Sequence, residues 1–332
     1  MAINKRVTVL GDGGWGTCLA VILANQGHQV TLWGAFPEYV AQVQNTHENV
    51  KFLPGVKIPP SVRLTSDFKE GWESPDMIVV AVPSRYLVQV LKRASAGPWS
   101  SVPAVSVVKG IDPETGLRMS ELIRKTAPVK RLAVLSGPSI SSEVARGVPT
   151  TVVAASEDAG LAKEVQELFT TERFRVYTSS DVTGVEIGGA LKNVIAIACG
   201  ASDGLGFGSN TKAALATRGL LEMSRLGKAL GAKEATFSGL SGLGDLITTC
   251  FSPMSRNRTL GEKLGKGMSL DEATKGMEQV AEGVTTAQSG YELGKKHRVE
   301  MPITTAVYQV LFEKKSPRDA VRDLMMREPK SE

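Results

Sequence analysis

The stretch Arg6–Thr17, which reads RVTVLGDGGWGT, joins an apolar strand to a glycine-rich turn, and an apolar helical pattern follows from Cys18 to Asn25. In such a turn the first glycine permits a tight bend, the second lets the main chain approach a pyrophosphate, and the third lets helix and strand pack closely. The free N–H groups at the start of the helix would bind the phosphates. The stretch therefore predicts a doubly wound α/β fold that binds a dinucleotide, with a purely structural glycine turn as the alternative.

The next strand, Gln29–Trp33, should end at the residue that contacts the adenosine ribose. NAD enzymes usually carry Asp or Glu there, and NADP enzymes place an Arg nearby. This chain continues instead with Gly34, and no Lys or Arg occurs between His28 and Val50. Glu38 is a late candidate for the ribose, and Phe36 could lie against the adenine or simply pack in the loop. We therefore predict that both NADH and NADPH serve as cofactor.

Further apolar runs of strand length extend this pattern through the first half of the chain. Continuous apolar runs suit a mostly parallel sheet that is covered on both faces. We predict a Rossmann-type domain over residues 1–180, in which a helix over Glu157–Phe169 lies between the last two strands. The predicted strands are Met77–Val82, Val102–Val108, Leu132–Leu135, Thr150–Ala155 and Phe174–Tyr177.

Two of these strands end in polar residues. Lys109 follows one of them, and Ser136-Gly137-Pro138-Ser139 closes another. Ligands gather at the carboxyl ends of parallel strands, so these residues are candidates for binding. The alternatives are a solvated strand end for Lys109 and an N-cap of the helix beginning near Ser141 for Ser139.

From Val182 onward helical periodicity replaces the strand signals, which predicts an all-α domain over residues 181–332. We expect a loop over Ala201–Asn210 and a long helix over Thr211–Leu230. Later helices should begin near Ser269, Thr285, Thr304 and Pro317.

One lysine, Lys192, interrupts the apolar helical run Gly188–Gly200. Helical spacing places it on a face of small residues, which would leave room for a ligand beside the ammonium. The alternative is a lysine whose stem lies on the surface while its head reaches water. Farther along, Asp245 is the first residue of a predicted helix after a glycine-rich turn. Its negative charge would either interact favourably with the helix dipole or contact a ligand. The segment Ser255–Arg258 is a compact donor cluster that suits a phosphate or a solvated loop.

Composition excludes several classes of protein. The chain has 332 residues, of which 42% are hydrophobic and 22% charged, as in ordinary globular proteins. Its formal net charge of +5 is too mild to predict nucleic-acid binding. The three cysteines lack metal-ligand spacing, so we expect reduced thiols and no metal. No targeting segment or apolar run of transmembrane length is recognised, and we expect a cytoplasmic protein.

Six spaced motifs together resemble bacterial NAD(P)-dependent glycerol-3-phosphate dehydrogenases over essentially the whole chain. Gly34-Ala35 stands where relatives often carry an arginine, and Ser141 stands where an alanine is frequent. The motifs are Gly11-x-Gly13-x-Trp15-Gly16-Thr17, Lys109-Gly110-Ile111, Ser136-Gly137-Pro138-Ser139, Gly189-Ala190-Leu191-Lys192-Asn193, Gly242-Leu243-Gly244-Asp245 and Ser255-Arg256-Asn257.

The resemblance implies reduction of dihydroxyacetone phosphate to sn-glycerol 3-phosphate for phospholipid synthesis, with NAD or NADP as cofactor and Lys192 as the catalytic acid and base. It implies a small phosphorylated substrate as partner, and we expect a homodimer without nucleic acid or a membrane span. The substrate residues would be Lys109, Gly137, Ser139, Lys192, Asn193, Asp245, Thr249, Ser255, Arg256 and Asn257. The cofactor residues would be Gly11, Gly13, Gly14, Trp15, Gly16, Phe36, Lys109, Ser141, Arg256, Val280 and Glu282.

The chemistry requires these residue types. Hydride transfer to a ketone builds negative charge on its oxygen, which a positioned ammonium can stabilise and protonate. A phosphate favours the planar fork of Arg256 over a lysine. Two alternatives remain at this point, namely another two-domain dehydrogenase acting on a hydroxy acid or sugar acid, and a nonenzymatic dinucleotide sensor.

Overall fold

The structure is a computed structural model that describes residues 4–275, 277, 281–329 and 331. It divides into two compact units. The first unit comprises the residues up to Lys109 together with Arg118–Val182. The second unit comprises Gly110–Leu117 and the residues from Thr183 onward.

An eight-stranded sheet forms the centre of the first unit, in the order β3-β2-β1-β4-β5-β6-β7-β8. Neighbouring strands are parallel except β6 and β7, which are antiparallel. The order reverses direction at β1, so the point between β1 and β4 is where ligands bind in such sheets. The predicted fold class is confirmed. The strands are β1 Arg6–Leu10, β2 Gln29–Trp33, β3 Arg63–Thr65, β4 Met77–Val80, β5 Ala104–Ser106, β6 Leu132–Ser136, β7 Thr150–Ala155 and β8 Phe174–Ser179.

Helices connect these strands and cover the sheet. The first helix begins at Gly14, inside the glycine-rich turn, rather than at Cys18 as the apolar pattern predicts. Helix α7 begins at Ala159 because the Asp158 side chain accepts a hydrogen bond from the Leu161 N–H at 3.0 Å and caps the helix. The helices of this unit are α1 Gly14–Asn25, α2 Pro37–Thr46, α3 Phe68–Gly71, α4 Leu87–Arg93, α5 Met119–Thr126, α6 Ser141–Ala145 and α7 Ala159–Phe169, with a 3₁₀ turn over Ser84–Tyr86.

From residue 183 onward the described part of the second unit consists of helices joined by short connections, as predicted. A π-helical turn over Leu240–Gly244 leads directly into one of its helices. The helices are α8 Val182–Gly204, α9 Ser209–Ala229, α10 Glu234–Phe237, α11 Asp245–Phe251, α12 Arg256–Gly265, α13 Leu270–Thr274, α14 Gly283–His297, α15 Pro302–Phe312 and α16 Pro317–Met325.

The loop predicted over Ala201–Asn210 is too long, since α8 continues to Gly204 and α9 already begins at Ser209. The glycines near the end of α8 do not end the helix but allow another helix to cross it closely. A Cβ at Gly200 would overlap the carbonyl oxygen of Arg258, and one at Gly204 would overlap that of Glu262, both on α12. From the other side, a Cβ at Gly261 would overlap the carbonyl oxygen of Ile197. The main chains of α8 and α12 therefore touch.

Helix α8 is also long and apolar enough to cross a membrane, contrary to the expectation that no run reaches that length. Its most apolar window is 83% buried inside the protein. It packs in a core with residues such as Met223, Leu246 and Leu260. Helix α8 is therefore the core helix of the second unit, and its apolar surface is buried against protein.

A buried carboxylate fixes the start of α15. Glu222, on α9, is 3% exposed and accepts hydrogen bonds from the N–H groups of Ile303 at 2.6 Å and Thr304 at 3.0 Å. The Thr304 hydroxyl donates a third bond at 2.9 Å. Glu222 thus satisfies N–H groups that the first turn of a helix leaves unpaired.

Candidate active site

The glycine-rich turn of the first unit is built around two close main-chain approaches. A Cβ at Gly16 would overlap the carbonyl oxygen of Gly11, and one at Gly11 would lie 2.7 Å from the carbonyl oxygen of Ala81 after β4. Apart from the neighbouring residues in the chain, no atom of the described residues lies within 4 Å of a Cβ built at Gly13, the N-terminal cap of α1. Within the described part of the chain, no side chain caps that helix. Open space therefore adjoins the uncapped N–H groups, as a pyrophosphate requires, and these residues fit a dinucleotide.

Other residues predicted to contact the cofactor differ in their surroundings. The Ser141 hydroxyl lies 3.2 Å from the position of a Cβ at Gly14, which places the start of α6 beside the turn. Trp15 packs on Phe174 with ring centroids 6.2 Å apart. Phe36 is 69% exposed at the start of α2. Val280 lies outside the described residues.

Sequence analysis did not single out Asp12, whose carboxylate projects over Gly34 at the end of β2. A Cβ at Gly34 would overlap Oδ2 and would lie 2.7 Å from Cγ. Burial raises the pKa of Asp12 to about 6, and the residue's own N–H opposes that rise. The signal was available in the pairing of two predicted strands, since Leu10 and Trp33 are partners in the parallel β1–β2 register.

The polar residues that end β5 and β6 are brought together. The Lys109 Nζ donates a hydrogen bond to the Gly137 carbonyl oxygen at 3.1 Å. The Ser139 hydroxyl donates to the same oxygen at 2.9 Å. Gly137 has φ of +142°, a main-chain conformation that favours glycine. Lys109 is therefore fixed at the carboxyl edge of the sheet rather than extended into solvent.

In the second unit Lys192 is buried, with 7% of the residue exposed, so the surface alternative is excluded. Its Nζ lies 2.5 Å from Asp245 Oδ1 and 2.9 Å from Thr249 Oγ1. Asp245 is 1% exposed at the start of α11, and Thr249 lies one turn later on the same helix. A buried charge needs such a partner, because an isolated charge in a protein interior is strongly unfavourable.

The small residues beside Lys192 have a different use from the predicted one. A Cβ at Gly188 would lie 2.5 Å from the Ser241 carbonyl oxygen, in the π-helical turn. The space over Gly188, one turn before Lys192, is thus filled by main chain, not left for a ligand. This approach lets the turn run close to α8 and deliver Asp245 to the ammonium. Short π-helical segments are frequent at functional sites.

A second polar group joins α8 to α12 and α14. Asn257 donates to the Asn193 side-chain oxygen at 2.9 Å and accepts from the Gly283 N–H at 3.0 Å. Ser255 caps α12 by accepting from the Arg258 N–H at 3.3 Å. Ser255 therefore has a structural role, whatever else it contacts.

Arg256 and Arg258 differ in their surroundings. Arg258 forms an ion pair with Asp203 at 2.6 Å and has a side chain 17% exposed. Arg256 keeps an exposed side chain at the first position of α12. Nearby protein atoms lower the pKa of Arg256 by desolvation, and the negative charge of Glu282 opposes this. Arg256 is the arginine of this segment that can reach a soluble anion.

Both halves of the chain match models of one family. Residues 6–162 match the NAD-dependent glycerol-3-phosphate dehydrogenase N-terminus, and residues 181–322 match the C-terminus of the same family. The chain is 51% identical over 326 residues to glycerol-3-phosphate dehydrogenase [NAD(P)+] of Bacillus pumilus, covering 97% of this chain and 94% of the relative. It is 50% identical over 330 residues to the protein of that name from Chlorobium phaeobacteroides, covering 98% and 99%.

A solved structure agrees with these matches. The crystal structure of glycerol-3-phosphate dehydrogenase from Coxiella burnetii is 38% identical to this chain and superposes with a TM-score of 0.94. The similarity covers 98% of this chain and 99% of that one. Both units are therefore shared with a single relative.

Proposed function

Because the chain belongs to the NAD(P)-dependent glycerol-3-phosphate dehydrogenase family and is an oxidoreductase of that activity, we propose that Lys192 is its catalytic acid and base. The substrates are dihydroxyacetone phosphate and sn-glycerol 3-phosphate, as the family implies. The two alternative functions considered from the sequence, a different two-domain dehydrogenase and a nonenzymatic sensor, do not account for about half-identity over the full chain.

One observation carries the assignment of Lys192. Its ammonium is buried in the core of the second unit and is oriented by the carboxylate of Asp245 and the hydroxyl of Thr249. Burial of a lysine is unfavourable unless its charge is compensated, and a chain that only needed packing would place an apolar residue there. A charge that is buried and oriented in this way suits proton transfer at a defined point.

A reduced nicotinamide dinucleotide, which the glycine-rich turn of the first unit would hold, would supply the hydride for the ketone carbon. As negative charge develops on the ketone oxygen, Lys192 stabilises it and donates a proton from Nζ, which gives the secondary alcohol. In the oxidative direction the neutral amine accepts the hydroxyl proton. Asp245 fixes the direction of the amine throughout and balances its charge while it is protonated.

We assign the substrate phosphate to Arg256, supported by Asn257 at the same end of α12. The guanidinium is a planar fork of donors that matches phosphate oxygens, and the first turn of a helix favours an anion. The hydrogen bond between Asn193 and Asn257 links this segment to the helix that carries Lys192. Lys109, Gly137 and Ser139 are assigned to substrate binding from the carboxyl edge of the sheet.

The biological setting is proposed on similar grounds. We propose that the enzyme works as a cytoplasmic homodimer and supplies glycerol phosphate to phospholipid synthesis. Three free and buried cysteines support a reducing compartment. Size-exclusion chromatography with light scattering tests the oligomeric state.

The test of Lys192 is its replacement by Ala, measured by NADH oxidation with dihydroxyacetone phosphate. Loss of a general acid lowers kcat by about 10² to 10⁴, and small primary amines should restore part of it. NADH binding, followed by fluorescence, should stay near wild type. Activity within a few-fold of wild type would exclude the assignment.

A matched control is Lys212→Ala. Lys212 also forms an ion pair at 2.6 Å, with Asp203, and its side chain is only 14% exposed. This variant should lose less stability than Lys192→Ala, because Asp203 keeps its ion pair with Arg258 at 2.6 Å, whereas Asp245 loses its ion pair with Lys192. It should keep its turnover and should not respond to amines. Equal loss of kcat in both variants would assign Lys192 a structural role.

A further inference from the structure

The Asp12 carboxylate occupies the space that a side chain at the end of β2 would fill. Gly11 and Trp33 are joined by an N–H to carbonyl bond of 2.9 Å, which aligns the ends of β1 and β2. The Asp12 side chain then extends across Gly34, which has no room for a Cβ beside Oδ2. The φ of Gly34 is not in the left-handed region, and the position of its Cβ is crowded by side chains, since Val40 Cγ2 would also lie 2.6 Å away.

The main chain of Asp12 is held in place from two directions. Asn49, which is 1% exposed, donates from Nδ2 to the Asp12 carbonyl oxygen at 2.6 Å. The Thr17 hydroxyl donates to the same oxygen at 3.2 Å. Asn49 Nδ2 also lies 2.8 Å from the Thr17 hydroxyl. The carboxylate therefore projects from a fixed main chain, as a group that binds a ligand must.

In this fold an acid at the end of the second strand accepts hydrogen bonds from the adenosine ribose, and an arginine there accommodates a 2′-phosphate. This chain has glycine at that position and neither Lys nor Arg between His28 and Val50. We propose that Asp12, from within the glycine-rich turn, contacts the 2′ position of the ribose and makes the enzyme select NADH over NADPH. The carboxylate of Asp12, which follows β1, thus lies at the end of β2, where other proteins of this fold carry their acid.

The charge around Asp12 supports exclusion of the 2′-phosphate. Among the residues that the structure describes, no Lys or Arg forms an ion pair with this carboxylate. A carboxylate accepts bonds from hydroxyl groups but repels a phosphate at the same distance. This preference is compatible with the prediction that both cofactors serve, and it adds a bias toward NADH that the loop after β2 alone does not predict.

The experiment measures binding, so it does not depend on turnover or on the role of Lys192. NADH and NADPH are titrated into the enzyme at pH 8, and the ratio of their dissociation constants is taken. Wild type should favour NADH about tenfold to a hundredfold, the range expected for a hydrogen bond to a charged group. Asp12→Asn, which has the same shape without the charge, should bring the ratio close to one.

Glu38→Gln is the matched control, because Glu38 is the acid of the loop after β2 and lies in the first turn of α2. It should leave the ratio unchanged, and both variants should melt near the wild-type temperature. Calorimetry with 5′-AMP and 2′,5′-ADP should repeat the wild-type preference, since these fragments contain the ribose but no nicotinamide. Equal affinities in wild type, an unchanged ratio in Asp12→Asn, a changed ratio in Glu38→Gln, or no discrimination between the fragments would each overturn the proposal.

Discussion

The two units build their candidate sites from different parts of the chain. In the first unit the turn after β1 depends on main-chain atoms, and Gly11 and Gly16 leave room for them. In the second unit the site depends on charged side chains, and Lys192 meets Asp245 across 53 residues of sequence. A site built from main-chain atoms of one turn appears in the sequence as a short motif, whereas a site built from side chains draws on residues that are far apart in the sequence. The comparison explains why one site can be predicted from a motif and the other needs the fold.

After Lys192→Ala, the variant of the second unit with the largest expected effect is Arg256→Ala. The phosphate does not react, but fixing it positions the ketone, so both kcat and KM should deteriorate. We expect kcat/KM for dihydroxyacetone phosphate to fall by about 10² to 10³, which is ~3–4 kcal/mol. Arg256→Lys should still be strongly impaired, because it loses the fork of donors.

Unphosphorylated dihydroxyacetone is the internal control for this variant. Wild type should use it very poorly, and Arg256→Ala should change that residual activity little. Equal damage to both substrates would mean that Arg256 holds the cofactor or the fold. Arg258→Ala, which breaks the ion pair with Asp203, should reduce stability rather than phosphate recognition.

Glu222 should make the stability of the second unit depend on pH. Burial raises its pKa from the ordinary 4.5 to about 7, against the opposing N–H groups of Ile303 and Thr304. The folded state then keeps a proton that the unfolded state releases, so this group's contribution to the free energy of unfolding is full below pH 4.5 and is lost as pH rises to about 7. The loss is on the order of 3 kcal/mol. Glu222→Gln should not show it.

The measurement is denaturant unfolding of both proteins between pH 4.5 and 8. All four tryptophans, Trp15, Trp33, Trp72 and Trp99, lie in the first unit, so their fluorescence reports that unit. Helical ellipticity gives more weight to the second unit. A difference between wild type and Glu222→Gln that stays constant with pH would contradict the prediction.

The smallest effects should come from a pair of glycines in the first unit. Gly16→Ala should lower the free energy of unfolding by about 1–3 kcal/mol, because its Cβ overlaps the Gly11 carbonyl oxygen. Gly13→Ala has open space for its Cβ, so the tryptophan-detected transition should stay within about 0.5 kcal/mol of wild type. Its NADH affinity should fall instead, since the methyl group enters the space next to the helix N-terminus. Loss of stability without loss of affinity in Gly13→Ala would remove that residue from the cofactor site.

Much of the first unit follows from sequence because its strands are buried on both faces and read as continuous apolar runs. The observed bounds of Arg6–Leu10, Gln29–Trp33 and Thr150–Ala155 agree with the predicted ones. The position of Asp12 was missed because it depends on the pairing of β1 and β2 rather than on either strand. The assignment of residues to a 1–180 domain stays a prediction, as do the roles of the site residues.

The second unit was less predictable for a physical reason. Glycine in a sequence often indicates a turn. Gly200 and Gly204 instead lie within α8, where a Cβ at either position would overlap the main chain of α12. Gly188 likewise accommodates main chain where ligand space was expected. A glycine in a turn and a glycine at a close helix crossing differ in the segment packed against them. That segment is distant in the sequence, so no local sequence pattern distinguishes the two.

The glycine crossing of α8 and α12 has an entropic consequence. Lys192 lies on α8, and Arg256 is the first residue of α12. The two helices are held together by their main-chain contact and by the hydrogen bond between Asn193 and Asn257. Side chains with many rotamers would allow the helices to slide, whereas touching main chains do not. The proposed proton donor and phosphate anchor thus acquire their mutual order when the chain folds. Substrate binding need not supply that ordering, and more of its free energy remains to align the ketone.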